Sequence, residues 1–515
     1  MKKLPLGIQT FSLLIEDNLI YVDKTKHIIN LIDSLKYVFL SRPRRFGKSL
    51  LLSTIEEFFL GKKELFKGLD IYDYPEWKTH PIIRLDFSNM ETGNEESFRE
   101  TLFDRLNEIA AFYGIKIKSE IVSQYFGRLI KELSEKFGQK TVILIDEYDK
   151  PITDHLDDPE TAEKLREFLK SVFVRMKGND AHIRFVLLTG VSKFSKVSLF
   201  SGMNQITDIS MNEKYASLLG YTQEELELYF PEYIEILAQK KGTSKKELLR
   251  EIKHWYNGYS WDATTRVYNP FSILSLFQSL RFDNYWFSSG TPSHLIKLMK
   301  EKKYDVNILK NAEANILTFD SGSLENIDPV NLLFQTGYLT VSQKRDLYQI
   351  EEYLLNFPNF EVETSFYSYL IGDISNTQPY EALTLALKLR QSLEYGYVDQ
   401  FESILRTLFA QIPANLFIQE EKFYHSLFIM IAYLCGVEVE AEVNTNIGRI
   451  DGVIEFSDRI YIIEFKYNHP AEEGLKQIAR KKYYEKFLTK GKPICLVGAS
   501  FIGKEINTVS LKLEL

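Results

Sequence analysis

The sequence predicts an α/β fold built on a parallel sheet with helices on both faces. Three observations predict it. Short apolar runs recur at 37–41, 82–87, 141–146 and 185–190, amphipathic patterns of helical period separate them around 96–113, 117–137 and 159–177, and the first, third and fourth runs each hold four consecutive apolar residues rather than alternating. Strands of that kind are buried on both faces, which is the mark of a sheet covered by crossover helices.

Taken in order, YVFLS (37–41) leads through a turn containing Pro and Gly, RPRRFG, into a helix, KSLLLSTIEEFFLG, that stops at Gly61. IIRLDF, TVILID and FVLLTG supply the next strands, and the block ends near residue 215. Beyond it the pattern turns helical, with capping boxes at Thr222/Glu225 and Ser244/Glu247 and with Pro270 opening FSILSLFQSL. LLFQTGYLTVSQ (332–343) reads as a short strand, and EALTLALKLRQSLEYG as the clear helix of a mixed stretch over 345–415. The end of the chain runs through a helix (KFYHSLFIMIAYLCG), three strands (VEVEAEV, GRIDGVIEF, RIYIIEFKY), a charged helix from Ala471 to about Leu488, and a strand, PICLVG. That order is αβββαβ. The expected division is a first α/β core over 1–215, a helical and winged-helix-like lid over 216–345, a helical connector over 346–415 and a second α/β domain over 416–515.

Composition narrows the function classes. The chain has 515 residues, 44% hydrophobic and 26% charged, enough apolar material for several cores. A count of 2 cysteines excludes a disulfide scaffold, and Cys435 and Cys495 both stand in apolar runs as expected buried residues. No stretch approaches the ~18 apolar residues of a membrane span, and the apolar start MKKLPLGIQTFSLLIEDN is broken before a signal segment could form. A cytoplasmic protein without a membrane partner is expected. The 63 basic against 71 acidic residues leave a net charge of −8, which disfavours a nucleic-acid coat but allows one local basic groove.

The first constellation is Gly47-Lys48-Ser49, closing a loop between a strand and a helix. Backbone N–H groups at a helix N-terminus bind phosphate oxygens, a lysine there neutralises the β/γ charge, and a serine hydroxyl holds Mg²⁺. The first glycine of the usual loop is replaced by Arg42, and Pro43 removes one N–H donor. TVILIDEYD then delivers Asp146 and Glu147 to the end of an apolar strand, where Asp146 can anchor Mg²⁺ and Glu147 can orient an attacking water. Thr189, with Ser192 after it, stands where a neighbouring strand could sense the γ-phosphate, or simply ends its strand in a turn.

SRPRRFGKSLLLSTIEEFF, VILIDEYDKP and LLTGVSKFS together resemble the bacterial AAA-ATPase-like family, in which Arg-Pro-Arg-Arg-Phe-Gly-Lys-Ser replaces the glycine-rich loop. The resemblance extends over roughly 5–280, including YNGYSW (256–261) and YNPFSI (268–273). It implies a P-loop AAA-like ATPase core over 1–215, with ATP held by Arg44, Arg45, Phe46, Gly47, Lys48, Ser49, Asp146 and Thr189. Ser49 and Asp146 would be its Mg²⁺ ligands and Glu147 its catalytic carboxylate. Arg44 and Arg45 contact phosphate, contact a neighbouring subunit of a homo-oligomer formed through the ATPase domain, or form a solvated basic patch. Arg166, Arg175 and Arg184 are unranked arginine-finger candidates.

The second constellation is Asp451, Glu464 and Lys466 in GRIDGVIEFSDRIYIIEFKYN. The polar break SDR (457–459) predicts a hairpin, and a period of two puts Glu464 and Lys466 on one face. The carboxylates can hold divalent cations and Lys466 can position a water or stabilise charge on phosphorus; a cross-strand salt bridge is the other reading. With its αβββαβ context, this stretch resembles the PD-(D/E)XK nuclease superfamily, of restriction-endonuclease-like fold. The resemblance implies Asp451 and Glu464 as metal ligands, Lys466 as a catalytic lysine and Gln477 as the polar residue of the following helix; Glu442 is either an additional carboxylate or an exposed strand position, and Glu421 either an additional carboxylate or a solvated helix end. Lys476, Arg480, Lys481, Lys482, Lys486, Lys490 and Lys492, interleaved with Tyr483 and Tyr484, either meet backbone phosphates or form a solvated face. His425, on an apolar helix, is expected to pack or cap.

These readings lead to an ATPase joined to a Mg²⁺-dependent DNA nuclease, with Mn²⁺ able to substitute at the nuclease site and RNA not excluded as substrate. Nucleotide turnover is expected to alter the lid and thereby the engagement of DNA. The competing reading is a nucleotide-switched binding or signalling module whose nuclease fold is inactive.

Overall fold

The computed structural model describes residues 1–193, 205–287, 309–315, 318–319, 328–347, 350–375, 377–410, 421–434, 439–445, 448–502 and 505–513. The chain divides into two compact units, Met1–Ser289 with Asn311–Asn359, and Gly290–Lys310 with Phe360–Leu515. Among the described residues no helix is long and apolar enough to cross a membrane.

Helices α1 (Phe11–Glu16) and α2 (Thr25–Ser34) open the first unit. Its main sheet joins β1 (Tyr37–Ser41), β2 (Ile82–Asp86), β3 (Thr141–Asp146), β4 (Ile183–Gly190) and β5 (Thr207–Asp208), all parallel, in the order β2-β3-β4-β1-β5. Strand β4 therefore lies between the strand that precedes the Lys48 loop and the strand that ends in Asp146. Every residue of β1 and β3 is buried, because helices cover both faces. On one side α4 (Glu95–Phe112), α5 (Val122–Phe137) and α7 (Pro159–Gly178) enclose Phe39, Leu85, Ile143 and Leu188; α6 (Lys150–Thr153) precedes α7. On the other side lies α3 (Lys48–Phe59), whose Phe59 meets Phe185 of β4 at 5.8 Å.

The helical stretch begins with α8 (Gln223–Tyr229), α9 (Pro231–Lys241) and α10 (Lys245–Tyr256), and both expected capping boxes form. A short antiparallel pair, β6 (Asn257–Tyr259) and β7 (Val267–Tyr268), precedes α11 (Pro270–Ser279). The unit closes with β8 (Ala312–Asn315), α12 (Pro329–Thr336), β9 (Thr340–Leu347) and β10 (Ile350–Asn356), an antiparallel sheet in the order β8-β10-β9. Here the expected strand over 332–343 is corrected: its first part is the end of α12. Asp328 caps that helix, Pro329 sits in its first turn, and Gly337 ends it with φ 93°.

The second unit begins with α13 (Phe360–Ser375), α14 (Pro379–Tyr395), α15 (Val398–Ala410) and α16 (Glu421–Leu434). Its sheet has the order β11-β12-β13-β14-β15, from β11 (Val439–Thr445), β12 (Gly448–Glu455), β13 (Ile460–Tyr467), β14 (Ile494–Ile502) and β15 (Glu505–Leu513). Only β13 and β14 pair in parallel, and α17 (Ala471–Arg480) makes the crossover between them. Two expectations change. The order is αβββαββ, because EINTVSLKL forms an edge strand against β14, and the charged helix stops at Arg480 before a 3₁₀ segment over Tyr483–Lys490. Alternation along β13 sends Phe465 against Phe428 and Phe501, and sends Ile460 and Ile462 toward Ile478, Tyr483 and Phe487. Cys495 is half-buried rather than fully buried. Cys435 lies outside the described residues.

Candidate functional site

The loop after β1 is shaped by contacts from far along the chain. Arg42 is 1% exposed. Its guanidinium donates to the carbonyls of Ser41, Ser210 and Tyr215, and lies 3.8 Å over the ring of Trp261. Burial pushes its pKa down to about 9, opposed by Asp208 and Asp262, so it keeps its charge at neutral pH. Arg42 thus fastens the loop from behind and does not join the basic group exposed at Arg44 and Arg45. Phe46 is also buried, edge-on to Tyr259 at 4.8 Å and Trp261 at 5.5 Å. Arg45 lies over Phe271, and the Arg44 carbonyl accepts from the Trp286 indole. A side chain at Gly337 would collide with the Pro43 ring, its Cβ 2.6 Å from that of Pro43. The YNGYSW and YNPFSI stretches therefore build the wall behind the loop.

Two residues turn the loop into α3. Arg45 has φ 68° and Gly47 φ 90°. An added Cβ at Gly47 would meet nothing within 4 Å, so glycine serves the left-handed backbone and not a tight fit. Gly47 caps α3, which places Lys48 and Ser49 in its first turn. Lys48 is buried, and its Nζ donates to the carbonyls of Arg42 (2.9 Å) and Pro43 (3.0 Å). Burial lowers its pKa, and the charges of Asp146, Glu147 and Asp149 resist that shift.

Across β4, Asp146 is 1% exposed. Its Oδ1 accepts from the Thr189 hydroxyl at 2.6 Å and from the Glu147 N–H at 3.1 Å, and its Oδ2 lies 3.7 Å from Arg84 on β2. Glu147 has φ 50°, a costly conformation for a residue with a side chain, and burial raises its pKa while Lys48 pulls it down. Asp149 accepts from the Ser192 N–H and hydroxyl and from the Val191 N–H. Gly190 permits this turn: a Cβ there would lie 2.5 Å from the Asp149 carboxylate and the Tyr148 ring. The structure thus brings Lys48, Asp146, Glu147 and Thr189 together. Ser192 instead braces Asp149, which sequence reasoning missed along with Arg84. Arg166 pairs with Glu163, Arg175 rests on α7 beside Gly127, and Arg184 donates to the Ile32 carbonyl from the opposite end of β4.

In the second unit, the register Gly452↔Ile463 sets Asp451 opposite Glu464 one step on, and Asp451 Oδ2 accepts from the Phe465 N–H at 2.8 Å. Glu464 is 2% exposed. Its Oε1 accepts from Lys466 Nζ at 3.1 Å and from the Gln477 side-chain amide, while its Oε2 is buried with no hydrogen-bond partner among the described residues. Burial, then the Asp451 charge, push the Glu464 pKa up to about 7, against the pull of Lys466. Lys466 also donates to the Phe465 carbonyl. Two glycines that sequence reasoning missed bring α17 this close. A Cβ at Gly474 would lie 2.9 Å from the Glu464 carbonyl, and one at Gly498 would lie 2.1 Å from the Ala471 carbonyl.

A buried carboxylate with an unmatched oxygen, directly across from a second carboxylate, suits a hard divalent cation by donor chemistry. Among the described residues no group of three or more His, Cys, Asp and Glu could hold a metal. The side chains of Glu421, Glu442 and His425 lie outside the described residues. The basic run divides: Lys490 and Lys492 both bind Glu455, Lys482 pairs with Glu485, and Lys481 is half-buried next to Tyr483.

Comparison with known proteins finds a family match in each unit. Residues 5–200 match the family described as Predicted AAA-ATPase, and residues 419–511 match the PD-(D/E)XK nuclease superfamily. A protein of Azotobacter chroococcum mcd 1, described as an uncharacterized protein in the vnfD 5′ region, is 36% identical over 522 residues, covering 100% of this chain and 99% of the relative.

Proposed function

The chain belongs to the same family as the Azotobacter protein and carries a predicted AAA-ATPase domain and a PD-(D/E)XK nuclease superfamily domain; from that premise we propose an ATP-hydrolysing protein coupled to a Mg²⁺-dependent nuclease that cuts DNA phosphodiesters. In the first unit the α3 N-terminus, Lys48 and the exposed Arg44 and Arg45 bind the nucleotide phosphates. Ser49 and Asp146 hold its Mg²⁺, Thr189 fixes the Asp146 carboxylate, and Glu147 orients the attacking water. Phe46 shapes the loop from within the hydrophobic wall and supports binding indirectly.

In the second unit Asp451 and Glu464 hold a divalent cation, Mg²⁺ or Mn²⁺, which when bound supplies charge neutralisation and a more acidic water. Lys466 stabilises the negative charge that develops on the phosphoryl oxygens. Gln477 keeps the Glu464 carboxylate oriented. The observation that carries this reading is Glu464 itself: a 2% exposed carboxylate whose Oε2 has no hydrogen-bond partner among the described residues, opposite Asp451. Leaving a buried charge that incomplete is costly unless a ligand completes it.

The test incubates the full chain with DNA and Mg²⁺ or Mn²⁺, with and without ATP, and follows both strand cutting and phosphate release. Asp451→Ala is expected to abolish cutting and to leave ATP turnover intact. Cutting that persists at the wild-type rate in Asp451→Ala would sink the assignment.

A further inference from the structure

Sequence alone leaves the cations from Lys476 to Lys492 equivalent, and the structure separates them. Lys490 and Lys492 converge on one carboxylate, Glu455, at 2.5 and 2.8 Å, and Lys492 also donates to the Phe456 carbonyl. Lys482 is exposed and 3.3 Å from Glu485. Lys476, Arg480 and Lys486 are exposed, and Lys481 differs from all of these in being half-buried without a carboxylate partner among the described residues. It follows Gln477 by one helical turn, and its N–H donates to the Gln477 carbonyl at 2.9 Å, so the two share a face of the helix end. Gln477 already reaches Glu464 from that face.

The backbone holds this placement. Lys481 caps α17, and the next residue, Lys482, takes φ 47°, a left-handed conformation that a non-glycine residue adopts at a cost. The reversal stops the helix there and sends Tyr483 into the core beneath, where it is 1% exposed. The Lys481 ammonium rests 5.5 Å from the Tyr483 ring centroid, half-buried, in ion-pair contact with no carboxylate among the described residues. Its charge nonetheless acts at the Glu464 carboxylate, where it opposes the effect of burial. An ammonium one helical turn beyond the Gln477 that reaches Glu464, and in no ion pair among the described residues, has donors available for an anion brought in from outside.

We propose that Lys481 binds a non-bridging oxygen of the phosphodiester backbone beside the scissile phosphate, the Gln477 face of α17 thereby setting the register of the nucleic-acid strand over Asp451 and Glu464. This rests on the nuclease reading and deepens it. Lys490 and Lys492 are assigned no part in substrate binding, because both ammonium groups are already bonded to the Glu455 carboxylate.

The experiment measures binding of a labelled DNA duplex to the full chain by fluorescence anisotropy across a salt series, with Ca²⁺ present and cutting followed separately in Mg²⁺. For Lys481→Ala the expected result is affinity about tenfold weaker and a salt slope shallower by about one unit, the value of one lost phosphate contact. Lys481→Arg should restore most of both, which excludes a folding defect, and Lys490→Ala should keep the wild-type slope. Mn²⁺ binding by titration calorimetry should be the same in Lys481→Ala and wild type, as expected for a residue that touches substrate and not metal. If Lys481→Ala keeps wild-type affinity and slope while Asp451→Ala stops cutting, the nuclease reading stands and this assignment falls. If the wild-type chain neither binds nor cuts DNA, both fall together.

Discussion

Each unit of this protein carries a buried carboxylate on a strand of its sheet, Asp146 at the end of β3 and Glu464 within β13, and the two are treated in opposite ways. Asp146 is completed by its own fold: Thr189 and the Glu147 N–H occupy Oδ1, and Arg84 stands near Oδ2. Glu464 is completed on one oxygen only, and its pKa rises to about 7 because burial and Asp451 outweigh Lys466. Equal burial therefore does not mean equal demand for a ligand. The first carboxylate belongs to a site whose shape exists through protein contacts alone, whereas the second carries an unmet electrostatic cost that a cation would relieve.

Paired substitutions test that contrast most strongly. Glu464→Gln should lower DNA cutting by about 10²–10³-fold or more with ATP turnover unchanged, and Glu147→Gln should lower phosphate release to a similar degree with nucleotide binding retained. Single-turnover cutting and phosphate-release assays on both variants check this. Loss of both activities in either one would show that the sites do not separate.

Packing comes next in size. Gly498→Ala would force its Cβ to within 2.1 Å of the Ala471 carbonyl, so α17 must lift away from β14. A cost of about 1–3 kcal/mol is expected, with cutting reduced because Gln477 moves from Glu464. Chemical denaturation followed by circular dichroism measures the first effect, and cutting at saturating DNA the second.

The smallest effect sharpens the contrast through pH. The folded-state pKa of Glu464 is raised from its ordinary 4.5 to about 7, so the folded form holds a proton that the unfolded form has lost. The Glu464 contribution to stability is therefore greatest below pH 4.5, declines as pH rises toward 7, and is level beyond, by about 1–3 kcal/mol in all. In EDTA, Glu464→Gln should remove this decline, and thermal unfolding of both proteins across that range will show it. A wild-type profile identical to that of Glu464→Gln would contradict the burial argument.

The elements legible in the sequence were those whose signal is local. Apolar runs announced β1 to β4, and Thr222/Glu225 and Ser244/Glu247 announced two helix starts, because an N-cap is decided within one turn. The end of α12 was written just as locally, in Asp328, Pro329 and Gly337, but the apolar run within it has the length of a strand and periodicity alone does not separate the two. Strand β15 was missed although Val509, Leu511 and Leu513 alternate with Ser510 and Lys512, and it completes the sheet by pairing with β14. Both carboxylate constellations were readable from motif spacing. Their supports were not: Arg42 against Trp261, Thr189 on Asp146 and Gly498 against Ala471 are tertiary meetings of residues that have no pattern in common.

The fastening of Arg42 has a practical consequence. A loop rich in glycine carries its shape in its own backbone and can be moved between proteins, but this one takes its shape from Ser210, Tyr215, Trp261 and Trp286. The loop before Lys48 is therefore not portable. A fragment cut at residue 215 would keep every residue of the phosphate motif and lose the mould in which the motif is cast.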